Sequence, residues 1–139
     1  MADVPTPICS VDIYDETEFI RSLASLISKN LYVTTWIFKI DDEFNGRGHA
    51  YLNVDNIKPL QALKKKQLDP NIDLIESIKP ILAKYLPKKS IIAMPSLFKS
   101  WNEYMAAYCR VGGIIEAAPT CLSHQMASPS IAFVIEPDG

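Results

Sequence analysis

Residues 36–51, WIFKIDDEFNGRGHAY, constrain the fold more than any other stretch. An apolar, β-branched and aromatic run carries a single lysine, Lys39, and breaks into a polar loop with Gly46 and Gly48 flanking Arg47. A second strand-like run, 49–54, follows at once. Two such runs joined by a short glycine-containing loop predict an antiparallel β-hairpin. Side chains alternate across a strand, so Lys39 shares a face with Thr35 and Ile37. A lysine beside a glycine loop is one way to hold phosphate: the ammonium is a compact charge, and glycine lets backbone N–H groups approach the oxygens. An ordinary hairpin with an exposed lysine, paired with Asp41, reads the same residues equally well.

The rest of the chain predicts what packs on this hairpin. Apolar residues Phe19, Ile20, Leu23, Leu26 and Ile27 recur at helical spacing, with Thr17 as expected N-cap among the acids Asp15, Glu16 and Glu18. Lys29 and Asn30 close that helix, the asparagine suiting a left-handed terminus. The first strand is expected over 31–40. A helix over 60–68 has Pro59 in its first turn. A second, over 71–86, is expected to kink or divide at Pro80 and end at Pro87. Residues 90–94 read as extended. Ser96 is expected to cap an aromatic helix bearing Phe98, Trp101, Tyr104 and Tyr108, which ends at Gly112 or Gly113. Short strands follow over 113–118 and 131–136. The aromatic stripe reads as core, and the lysine runs 64–66 and 88–89 as solvated faces.

At 139 residues and 48% hydrophobic, the chain can bury one core. A net charge of −2 gives no basic field for nucleic acid, so no nucleic-acid partner is expected. Cys9, Cys109 and Cys121 form no CxxC pair and predict reduced thiols, while His49 and His124 lack ligand spacing to them, so no metal site is expected. No apolar run suffices to cross a bilayer and no signal-like segment opens the chain, which predicts a cytoplasmic, membrane-free setting. The end at Glu136-Pro137-Asp138-Gly139 reads as the start of a hairpin turn without its return strand, as in a fragment of a larger domain.

Taken together, Lys39 in FKI, the loop Asn45-Gly46-Arg47-Gly48 and Glu116 in GGIIEA resemble the nucleotide-binding half of an ATP-grasp domain. The wording of three blocks in order, FKIDDEFNGRGHAY, GGIIEAAP and AFVIEPDG, is most similar to the IQ motif-containing protein H family. The resemblance covers about 16–139, after an extended segment at 1–15. It implies an α+β fold of the ATP-grasp N-terminal subdomain type, an antiparallel sheet packed with helices, with a second subdomain starting at about 128–139. It implies ATP as ligand. Lys39 would pair with the α- or β-phosphate, Asn45, Gly46, Arg47 and Gly48 would close over the phosphates, and Glu116 would meet the ribose or adenine at the hinge. Backbone groups of Ile115 and Ala117 would face the adenine edge. The magnesium-binding residues of such proteins lie in the second subdomain, so magnesium is implied only through residues beyond this chain and no catalytic residue is assigned within it. The function implied is thus the ATP-binding portion of an ATP-grasp-like protein, incomplete for catalysis. Its alternative is a non-catalytic interaction or scaffold module with ciliary, flagellar or cytoskeletal protein partners. An unrelated α+β module whose glycine loop is only a turn is the third reading.

Overall fold

The first helix shows how the chain makes its elements. Asp15 is extended (φ −143°, ψ 157°), and its carboxylate accepts the Glu18 N–H at 2.8 Å. It thereby satisfies one of the donors that a helix start leaves unpaired. Asp15, not Thr17, is the cap: the helix starts at Glu16, so Thr17 already lies inside the first turn. The helix, α1 (Glu16–Lys29), turns Phe19, Leu23, Ala24 and Ile27 inward. Asn30 ends it without a left-handed backbone: φ is −137°, and its side chain donates to Leu26 O at 2.8 Å instead.

The computed structural model describes residues 6–43, 46–66 and 69–119. Around α1 stand β1 (Cys9–Ile13), β2 (Thr35–Ile40), β3 (His49–Asn53), α2 (Lys58–Lys65), α3 (Leu74–Lys89), β4 (Ile91–Ile92), α4 (Trp101–Val111) and β5 (Gly113–Ala117). The five strands form one sheet in the order β1-β5-β2-β3-β4, and every neighbouring pair is antiparallel. The fold is α+β, as expected. The strand expected over 131–136 and the subdomain boundary at 128–139 lie outside the described residues.

Three local expectations are corrected. β2 starts at Thr35, because residues 31–32 turn to bring the chain from α1 into the sheet. α3 runs unbroken through both Pro80 and Pro87. Both prolines stand on the exposed side of the helix, where solvent can satisfy the carbonyl each leaves without a donor. α4 begins at Trp101 rather than after Ser96: residues 95–97 form a turn, and Ser100 Oγ accepts the Glu103 N–H at 3.2 Å. The Glu103 carboxylate reaches back to the Lys99 N–H at 2.8 Å, so two otherwise unpaired donors are met reciprocally, much as in a capping box.

Strand alternation builds the core. Trp36, Phe38 and Ile40 from β2, Ala50 and Leu52 from β3, and Ile115 and Ala117 from β5 point to the helical side. They meet Phe19, Leu23, Ile27, Leu82, Leu86, Trp101, Tyr104 and Tyr108 in one cluster. Phe19 is its hub, with ring centroids 4.9 Å from Phe38, 6.0 Å from Trp101 and 5.1 Å from Tyr108, all edge-to-face. Phe19→Ala is expected to cost about 4 kcal/mol, since it opens a cavity and removes three aromatic contacts at once. Chemical denaturation should show a lower midpoint with an unchanged slope.

The opposite face is different. Thr35, Ile37, Lys39, His49, Tyr51, Asn53, Ile114 and Glu116 lie there, all half-buried or exposed. Among the described residues no helix covers this face, and it carries the predicted site residues Lys39 and Glu116.

Candidate nucleotide site on the open sheet face

Lys39 is the next-to-last residue of β2. It stands opposite His49 on β3 and opposite Ile114 on β5. Glu116 sits two residues along β5, opposite Ile37. Both alternate outward, so a diagonal across the β2–β5 pair brings them together. The Lys39 ammonium makes an ion pair with the Glu116 carboxylate, their side chains 33% and 18% exposed. The lysine's partner is therefore Glu116, not Asp41. Two residues far apart in sequence meet because β5 inserts between β1 and β2.

The glycine loop closes the end of the β2–β3 hairpin beside this pair. Ile40 N–H donates to Gly48 O at 3.1 Å, and His49 N–H donates to Gly46 O at 3.2 Å. Gly46 has φ +72°, a conformation glycine adopts without penalty. Gly48 is fixed by closeness: a Cβ there would lie 2.6 Å from Glu43 Cβ and 2.9 Å from Ile40 Cβ. Arg47 is largely exposed, and its Nε lies 3.9 Å from a Glu43 carboxylate oxygen. Asn45 lies outside the described residues.

Two residues not singled out from the sequence complete the geometry. Tyr104 reaches from α4 through the core, with its hydroxyl 2.9 Å from Gly48 O and 3.1 Å from Phe38 O. A core aromatic thus holds the base of the loop, and burial pushes its phenol well above the ordinary range, so it stays a donor. Tyr104→Phe removes that donor from buried carbonyls, and a loss of about 1–2 kcal/mol is expected in thermal unfolding. His49 is the second. Burial lowers its pKa below 6.5, and the Lys39 charge opposite lowers it further, against an upward pull from Glu116. Its signal was present in the sequence: a hairpin closed by this loop brings the first residue of the second strand opposite the end of the first, where Lys39 stands.

Ile115 and Ala117 are placed differently from Glu116. Their side chains enter the core. β5 has strands on both edges, and Ala117 N–H already donates to Ile8 O at 2.8 Å. These two residues fix the strand that presents Glu116, and the Ala117 donor is spent within the sheet.

Elsewhere, a shallow groove of about 270 Å³ runs between α1 and α3, lined by Thr17, Ile20, Arg21, Lys79, Pro80 and Ala83. Its lining is mostly apolar, and Lys79 is held by Glu76 at 2.7 Å. None of the residues gathered around Lys39 lines it. Among the described residues no group of three or more His, Cys, Asp or Glu side chains converges to hold a metal, and no helix is long and apolar enough to cross a membrane.

Comparison with known proteins places the chain as a whole. A family model described as IQCH-like, ATP-grasp matches residues 1–139. IQ motif-containing protein H of Danio rerio is 30% identical over 152 aligned positions, which take in 99% of this chain. The chain spans 14% of the length of that curated relative. No solved structure matches it.

Proposed function

The chain belongs to the IQCH-like, ATP-grasp family, and from that premise we propose that its open sheet face binds ATP. The observation that carries the reading is the convergence at one end of that face. Lys39, the Gly46–Gly48 loop and Glu116 meet there, on the side that no described helix covers.

The Lys39 ammonium is the phosphate contact. In the free chain Glu116 holds it, which keeps the ammonium over the sheet rather than ranging through solvent. A partly exposed ion pair of this kind contributes about 0–1 kcal/mol. The fold therefore loses little when a phosphate, which carries more negative charge than one carboxylate, takes Glu116's place on the ammonium. The exchange releases Glu116 to accept hydrogen bonds from ribose hydroxyls. Backbone N–H groups of the loop and the Arg47 guanidinium, on a side chain 56% exposed, would complete the phosphate contacts. The magnesium that accompanies ATP would be held by residues outside this chain. Phosphoryl transfer depends on that ion, so this chain supplies binding and not turnover. Calorimetric titration with Mg-ATP tests the reading: saturable binding in the micromolar-to-millimolar range is expected, and none at millimolar nucleotide would sink it.

One observation favours a second reading. Tyr51 and Ile91 are exposed on the same face, and Ile37 and Ile114 are half-buried, which makes a mixed surface suited to a protein partner. This is the scaffold module, and the ciliary setting implied by the resemblance is where its partner would be sought. Such a complex would survive Lys39→Ala, whereas ATP binding would not.

A further inference from the structure

We infer that His49 is a second cationic contact for the nucleotide phosphates, taking up a proton near neutral pH as nucleotide binds. The inference rests on the nucleotide reading above and adds to it a residue and a proton. His49 is the direct cross-strand partner of Lys39, on the same open face. Its ring packs on the glycine loop: a Cβ built on Gly46 would lie 3.4 Å from His49 Nδ1. The imidazole therefore stands against the loop backbone, on the strand next to the lysine's, within reach of a phosphate that spans the loop and Lys39.

The surrounding charges set when it ionises. From β2 it faces Lys39, and from β5 Glu116. β4 brings only Ile91 and Ile92 alongside β3. In the loop, Glu43 and Arg47 are joined to each other, and neither they nor Asp41 and Asp42 are among the charges acting on the ring. In the free chain, burial and the lysine ammonium together keep the imidazole neutral near neutral pH. A triphosphate on Lys39 reverses the local field. It offsets the ammonium and adds several negative charges within reach of the ring, so the neutral imidazole takes up a proton as nucleotide binds. The sign follows directly. Affinity rises as pH falls through the bound-state pKa and levels off below the lower free-state pKa. The gain is about tenfold for each pH unit separating the two.

The test follows the imidazole itself. The chain has two histidines, His49 and His124, and His124→Gln leaves one signal to read. The His49 ring proton is titrated by NMR, first alone, then with ATP, then with inorganic tripolyphosphate. The expected result is an upward displacement of the titration midpoint by about one unit or more with both ligands. Calorimetry in buffers of different ionisation heat should show proton uptake in the wild-type chain beyond that of the nucleotide alone, and loss of that excess in His49→Gln. If ATP binds and the His49 titration stays where it was, the inference is overturned while the nucleotide site stands. If neither ligand binds at any pH, both are overturned. The imidazole titration needs no change at position 49, so it decides the matter even if His49→Gln fails to fold.

Discussion

Lys39→Ala is expected to weaken ATP binding about 10–150-fold while leaving thermal stability within about 1 kcal/mol of wild type. The two effects separate because of where the lysine stands. Its ammonium is on the open face, one-third exposed, so the fold gains little from the pair with Glu116. The phosphate contact would lose a full charge. The variant also carries its own control for correct folding. Lys39 lowers the His49 pKa and Glu116 raises it. Burial, the largest cause of the lowered pKa, stays in the variant, but without the lysine only the carboxylate acts on it by charge, so the His49 pKa should rise from its lowered value, read by NMR. Below pH 6.5 the wild-type fold loses stability as His49 is forced to take up a proton, because the unfolded chain binds that proton more readily. In Lys39→Ala this acid sensitivity should diminish. Unchanged ATP affinity in a folded variant would contradict the assignment of Lys39.

Gly113→Ala is expected to be the more damaging change for the fold, lowering stability by about 3 kcal/mol or more and the melting temperature by about 10 °C. A Cβ at this position would lie 2.4 Å from the Lys39 carbonyl oxygen and 2.5 Å from Tyr108 Cε2. Neither neighbour can withdraw cheaply. The carbonyl belongs to a central strand, and Tyr108 is fully buried among Phe19 and Tyr104. Any relief must push β5 away from β2 at the residue that carries the site lysine. Gly46→Ala is milder: the nearest atom would be 3.4 Å away, and the cost is the positive φ, about 1–2 kcal/mol. Gly48→Ala again forces a close contact, with Glu43. The two loop glycines thus report on backbone geometry as well as on ligand, and Lys39 is the cleaner probe. A Gly113→Ala chain that melts like wild type would contradict the close β2–β5 approach on which the ion pair depends.

The hairpin and the outward direction of Lys39 were legible from sequence because both rest on period-two alternation over neighbouring residues. The inward faces of α1 and α4 were legible for the same reason at helical period. What stayed hidden was non-local or competitive. Nothing near Lys39 in sequence says that Glu116 will be its partner, since that requires β5 to lie between β1 and β2. Asp15 and Ser100 took the capping roles expected of Thr17 and Ser96, a contest between capping side chains within one helical turn that short-range composition does not decide. Pro80 and Pro87 did not break α3, because packing of Ile78, Leu82 and Leu86 outweighs two lost hydrogen bonds on an exposed side. Tyr104 was rightly read as core, yet its hydroxyl also supports the loop from beneath.

The most direct measurement of the nucleotide account is residue-by-residue NMR shift mapping of the chain titrated with Mg-ATP. Saturating changes are expected at Lys39, Gly46, Arg47, Gly48, His49 and Glu116, at one common affinity. Changes confined to the groove formed by Thr17, Arg21, Lys79 and Pro80, or no saturating change anywhere, would contradict it.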